Sequence, residues 1–170
     1  TGTIFFNTNT GAPTASTTIT LTVNDGGNTG NDPGLTGDGS SEQDSASQTI
    51  NITAVNDAPV LTPYSPTLPL TEDSAPYANT VASLLGASVT DADGDPEGIA
   101  VSDISGANGT LEYSVDGGAW TAFGSPTAAN ALLLKDTDQI RFTPNGVSGG
   151  TMTMTYRVWD QSTGAAGGTA

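Results

Sequence analysis

A chain of 170 residues has room for one complete small module and part of a second, and its 35 % apolar content is thin for a large core. Eighteen acidic residues against three basic ones (Lys135, Arg141 and Arg157) give a net charge of −15, which repels nucleic-acid phosphates and anionic lipid and makes divalent cations the natural counter-charge. The absence of Cys and His removes disulfides, thiolate and imidazole zinc sites, and any Ser-His-Asp relay.

In chain order, Ile4-Phe5-Phe6 reads as a short apolar strand. Thr18 to Val23 alternates strictly, with Ile19, Leu21 and Val23 facing a core. It ends in the turn signal Asn24-Asp25-Gly26-Gly27, and Asn28 to Ala46, rich in Gly, Ser, Asp and Asn, reads as a long exposed loop. A second alternating strand, roughly Ser47 to Val55, places Ile50 and Ile52 inward. Asn56-Asp57-Ala58-Pro59 follows as a stiff linker, since Pro59 cannot donate a ladder bond and keeps its predecessor extended.

Beyond the linker, Thr67 to Thr71 is expected as an edge strand marked by proline. Leu85, Ala87 and Val89 give a second strand, which ends at the acidic loop Asp91-Ala92-Asp93-Gly94-Asp95. Ile99 with Val101, and Leu111 with Tyr113 and Val115, give the third and fourth strands. Asp116-Gly117-Gly118 turns into Ala119 to Phe123 as a hairpin, with Trp120 and Tyr113 in the core or as cross-strand partners. Leu132 to Leu134 and Ile140 to Phe142 are strands separated by an exposed turn carrying Asp136 and Asp138. Thr151 to Trp159 alternates again, with Met152, Met154, Tyr156 and Val158 inward, and the chain runs out in Gly and Ala.

The chain also repeats itself. Ile19, Leu21, Val23 and Asp25 recur 135 residues later as Met154, Tyr156, Val158 and Asp160, and Ile4 and Phe6 recur as Ile140 and Phe142 at 136. Residues 1–55 are thus expected to be the last strands of one module, 56–59 a linker, and 60–170 a module lacking its closing strand, cut mid-module at both ends. Two explanations stay open. Covalent neighbours in a longer polypeptide supply the missing strands, or separate subunits complete one another by strand addition in a filament.

Taken together, Ala54-Val55-Asn56-Asp57-Ala58-Pro59-Val60, Leu70-Thr71-Glu72-Asp73, Thr80-Val81-Ala82-Ser83-Leu84-Leu85 and Val89 to Asp95 form one ordered set with Glu112 to Trp120 and Ile140-Arg141-Phe142-Thr143-Pro144. This combination resembles the cadherin-like tandem repeats of giant bacterial surface adhesins. The resemblance implies an all-β chain of immunoglobulin- or cadherin-like sandwich modules of about seven strands. In that topology the linker, the loop between the second and third strands and the loop after the sixth share one pole. Asn56, Asp57, Asp91, Asp93, Asp95 and Asp160 would then converge as hard oxygen ligands for calcium, with Glu72 serving the opposite pole.

Animal cadherins carry a further acidic residue at the position of Ala54 and a further Asn after that of Asp57, so one or two ions are expected rather than three. Without flanking helices, and with no Glu at its twelfth position, the acidic loop is not an EF-hand. The expected function is non-enzymatic: an extracellular spacer on the bacterial cell surface, stiffened by calcium, whose partners are neighbouring copies of itself, without nucleic acid or membrane insertion. The alternative is a module that binds surface glycans through Trp159, Trp120 and the Asn28 to Ala46 loop.

Overall fold

A computed structural model describes residues 4–7, 11–24, 37–38, 41–65, 67 and 70–170. The fold is all-β: the described residues form twelve strands and one five-residue helix, and no helix among them is long and apolar enough to cross a membrane. The chain divides into two units, Thr1–Val55 and Asn56–Ala170. The four residues read as a linker belong to the second.

In the first unit, β1 (Ser16–Asn24) pairs antiparallel with β3 (Ser41–Asn51), from Ser16 opposite Asn51 to Asn24 opposite Gln43. The short β2 (Gly37–Asp38) pairs with the start of β3. Thr20 and Ser47, opposite one another, share a hydroxyl hydrogen bond of 2.9 Å. The alternation in Thr18 to Val23 does mark a strand, but not one over a core: Leu21 and Val23 are 57 % and 61 % exposed. Ile4-Phe5-Phe6 is not a strand, and Phe5 is 91 % exposed. An apolar triplet forms a strand only where a neighbouring strand pairs with it, and here none does among the described residues. The expected Asn28 to Ala46 loop is shorter at its far end, because the register with β1 carries β3 back to Ser41. Asp25, Asn28 and the residues up to 36 lie outside the described residues. The strand expected to reach Val55 ends at Asn51, with one further bond from Ile52 N–H to the Ala15 carbonyl.

The second unit contains β4 (Val60–Leu61), β5 (Tyr77–Thr80), α1 (Val81–Leu85), β6 (Val89–Thr90), β7 (Gly98–Ser105) and β8 (Gly109–Ser114). These are followed by β9 (Thr121–Ala122), β10 (Leu132–Leu134), β11 (Gln139–Pro144) and β12 (Thr153–Trp159). Hydrogen-bonded neighbours give sheets β10-β7-β12 and β5-β11-β8-β9 and the pair β4-β6, all antiparallel. One buried cluster draws on both larger sheets and the helix: Val81, Leu85, Ile99, Val101, Phe123, Leu132, Leu134 and Ile140. Met154, Tyr156 and Val158 of β12 pack against it, as the alternation of that strand predicts.

The second strand is shorter than its alternation suggests. Leu85 lies in α1 and only Val89–Thr90 is strand, while Ala87 is exposed. Val81, Leu84 and Leu85 follow the helical spacing, the Thr80 hydroxyl accepts the Ser83 N–H at 3.2 Å, and Gly86 stops the helix at φ 57°. The edge strand expected at Thr67 to Thr71 is also absent at Thr67, Leu70 and Thr71. Its place in sequence order is taken by β4, paired with β6. The strand β5 has no alternation to announce it.

The expected hairpin forms. Asp116 (φ 52°) and Gly117 (φ 71°) turn the chain, and β9 pairs Ala122 with Glu112 and Thr121 with Tyr113. The paired part of the expected Ala119 to Phe123 strand is only Thr121–Ala122, and Trp120, just before it, stacks on Arg141 of β11 instead: the guanidinium lies 4.2 Å above its ring while donating two hydrogen bonds to Glu112 Oε2. The Gly/Ala-rich end does not run free. Gly167 and Gly168 bond to Leu133, and Ala170 bonds to Ala131, so the tail covers the outer edge of β10.

Close approach fixes one glycine. A Cβ on Gly98 would stand 2.5 Å from the Leu134 carbonyl oxygen and 2.8 Å from Trp159 Cε3. Gly98→Ala is therefore expected to destabilise the second unit by about 1–3 kcal/mol. Urea unfolding followed by tryptophan emission measures this, and an unchanged midpoint would contradict it.

Candidate metal centre

Asp91 directly follows β6 and opens a tight loop. Its Oδ1 accepts the N–H groups of Asp93 (2.7 Å) and Gly94 (3.2 Å), the local side-chain-to-backbone bond that makes Asp a turn residue. Asp93 Oδ2 in turn accepts the Asp57 N–H at 2.6 Å. On the other side, Asp160 directly follows β12. Its Oδ1 accepts the Ser162 N–H (3.1 Å) and hydroxyl (2.8 Å), and its Oδ2 accepts the Asn56 amide Nδ2–H at 2.7 Å. Gln161 donates to the Pro96 carbonyl at 3.0 Å and ties the two loops together.

The three stretches 56–57, 91–94 and 160–162 thus form one connected group. Within it, Asn56 contributes its amide, Asp57 its main-chain N–H, and Asp91, Asp93 and Asp160 their carboxylates. Asp95 lies in the same loop, exposed, and no hydrogen bond ties it to the group. Glu72 is exposed in a separate turn closed by Thr71 and Ser74. Gln161 and Ser162 were not singled out in the sequence, although Asp160-Gln161-Ser162 carries the Asp-x-Ser signal of a side-chain-capped turn.

No Lys or Arg side chain enters the group; Lys135 pairs with Asp116 and Arg141 with Glu112. The carboxylates are balanced only by N–H and hydroxyl donors. Asp91 Oδ2 lacks even these: it is buried and has no hydrogen-bond partner. A buried carboxylate oxygen without a donor is costly, and a hard divalent cation is one partner that would satisfy it. Among the described residues no three acidic side chains stand together as a ready-made cage. The donors are oxygen, hard and partly unsatisfied, and in that chemical sense fit calcium. Asp91 Oδ2, the free oxygens of Asp93 and Asp57, Asp160 and the Asn56 carbonyl oxygen would hold it.

The Ser162 hydroxyl first, and the Asn56 amide next, hold the Asp160 carboxyl below its ordinary value of 3.8. A lowered pKa means the charged form is favoured in the fold, so the contact persists above the ordinary range and is lost as pH falls through the lowered value. The Asn56 side-chain amide resonance should follow that loss with a titration midpoint below 3.8. A titration centred above that value would contradict the assignment.

The Trp159 ring lies over Gly98, and its Nε1–H donates to the Thr163 carbonyl at 2.8 Å, so it packs beside the group and anchors the loop after β12. Comparison with known proteins finds no matching family model, no curated relative and no similar solved structure.

Proposed function

We propose that this chain is a structural, non-enzymatic module of an extracellular bacterial surface protein, built of tandem immunoglobulin/cadherin-like β-sandwiches and stiffened by calcium at the start of each module. The observation that carries the reading is the buried, partnerless Asp91 Oδ2, in a group that also holds Asn56 and Asp57, the first residues after the boundary at Val55. Two sheets sharing one core support the sandwich, and the 135-residue repeat supports the tandem array. In this reading calcium adds to the N–H and hydroxyl donors as the counter-charge of Asp91, Asp93 and Asp160. It thereby fixes the residues that lead from one module into the next, and neighbouring copies are the partners. Extracellular sites of this type bind at roughly 10⁻⁴ to 10⁻³ M, matched to the calcium outside cells.

Small-angle scattering on several tandem copies tests the function. The maximum dimension should grow with millimolar calcium and shrink with chelator. An identical dimension in both would remove the stiffening role.

A further inference from the structure

We infer that β12 accepts the β3 strand of a second copy of this chain along the edge it turns away from β7, in the antiparallel register that β3 takes on β1. β12 is bonded along one side only. It pairs with β7 from Thr153 opposite Ser105 to Trp159 opposite Gly98, and no other main-chain bond reaches Thr153–Trp159 among the described residues. The register irregularity at Thr155/Tyr156 comes from the extra residue Ser102 in β7, so β12 itself is regular. It contains no proline and consists largely of β-branched, aromatic and apolar residues, the composition of an edge that invites pairing.

The repeat identifies the occupant. Each β12 position stands 135 residues after its β1 counterpart, with Thr18, Thr20 and Val23 recurring unchanged as Thr153, Thr155 and Val158. In the first unit the strand paired with β1 is β3. Transferring that register sets Ser47 opposite Thr155 and Thr49 opposite Thr153. The Thr20–Ser47 hydroxyl bond is then reproduced by Thr155, and Met152, in the place of Thr17, gives Ile50 an apolar neighbour.

The exchange also has a driving force. A small sheet that buries no apolar face is marginal in water, and β1 holds β3 with Leu21 and Val23 left exposed, the two-residue β2 adding only a short third strand. β12 offers the same pattern with Met154, Tyr156 and Val158 already packed on a core. Strand addition of this kind draws on main-chain hydrogen bonds for affinity and on alternate side chains for register. Because donor and acceptor surfaces differ, the contact is head to tail and can propagate.

Engineered cysteines test this cleanly, since the chain has none. Thr155→Cys chains are mixed with Ser47→Cys chains and oxidised, and light scattering follows the mass of the unmodified chain against concentration. The mixed disulfide should form in excess over that between Thr155→Cys and Gln48→Cys, whose cysteine faces the opposite side. The mass should climb from one chain towards two or more. A chain that stays monomeric at millimolar concentration without cross-links would overturn the inference. So would equal linking by Gln48→Cys, or a disulfide confined within single chains of the Thr155→Cys/Ser47→Cys double variant.

Discussion

Replacing Asp138 by alanine is expected to destabilise the second unit by roughly 2–6 kcal/mol, because two main-chain donors lose their acceptor at a buried site and each such loss costs about 1–3 kcal/mol. Asp138 is fully buried, at 0 % exposure. Its Oδ1 accepts the Asp116 N–H at 3.0 Å and its Oδ2 accepts the Lys135 N–H at 2.9 Å, while its carbonyl accepts the Val81 N–H. One residue thus ties the Asp116 hairpin turn, the turn between β10 and β11, and the first turn of α1. The truncation removes two of these three ties and leaves a void. Since domains are stable by only about 5–15 kcal/mol, such a loss is a large share of the total. Asp138→Asn keeps one acceptor oxygen and should lose less than alanine. Urea unfolding measures both, and an alanine variant within about 0.5 kcal/mol of the parent, the range of a neutral surface change, would show that the ties are dispensable.

Calcium at one hundred times its dissociation constant should stabilise the second unit by about 2.7 kcal/mol, since an ion held as proposed by the folded group, and hardly by the open chain, favours the fold. For a unit of this size the melting temperature then rises on the order of 10 °C. Asp91→Asn should abolish that rise while keeping the melting temperature measured in chelator. The asparagine carbonyl oxygen still accepts the Asp93 and Gly94 N–H groups and preserves the loop, but the partnerless anionic oxygen is gone. Asp95→Asn, outside the hydrogen-bonded group, should keep most of the rise. Scanning calorimetry with calcium and with chelator separates these cases. An Asp91→Asn variant with the full calcium response would place the ion elsewhere or remove it.

Much of the architecture is legible in the sequence because period-two alternation reports directly which strands stand over a core. Met154, Tyr156 and Val158 are read correctly for that reason. The same signal misleads at Leu21 and Val23, where alternation is present but no opposing layer covers them among the described residues. At Leu85, Ala87 and Val89 two periods compete, and the cap at Thr80 with the stop at Gly86 decides for a helical turn.

Asp138 reads as an exposed turn residue because its turn is real. What buries it is a hairpin 22 residues away, which no local pattern encodes. At the candidate site the acidic residue types and their loops are legible, as is the Asn56-Asp57 joint. The chain of bonds from Asn56 to Asp160 spans 104 residues and depends on the fold. The orphaned oxygen of Asp91 is visible only in three dimensions.

Calcium binding at this group is tested by an amide NMR titration of the whole chain with calcium chloride, repeated with magnesium. The N–H groups of Asp57, Asp93, Gly94 and Ser162 all donate to the carboxylates in question, so their resonances report on those oxygens. They should shift together and saturate with a midpoint of roughly 10⁻⁴ to 10⁻³ M in calcium, while magnesium, which demands a tighter octahedral shell, fails to saturate them. Resonances at these four positions that stay fixed, or that drift no more than those of acidic residues elsewhere on the surface, would contradict the calcium site.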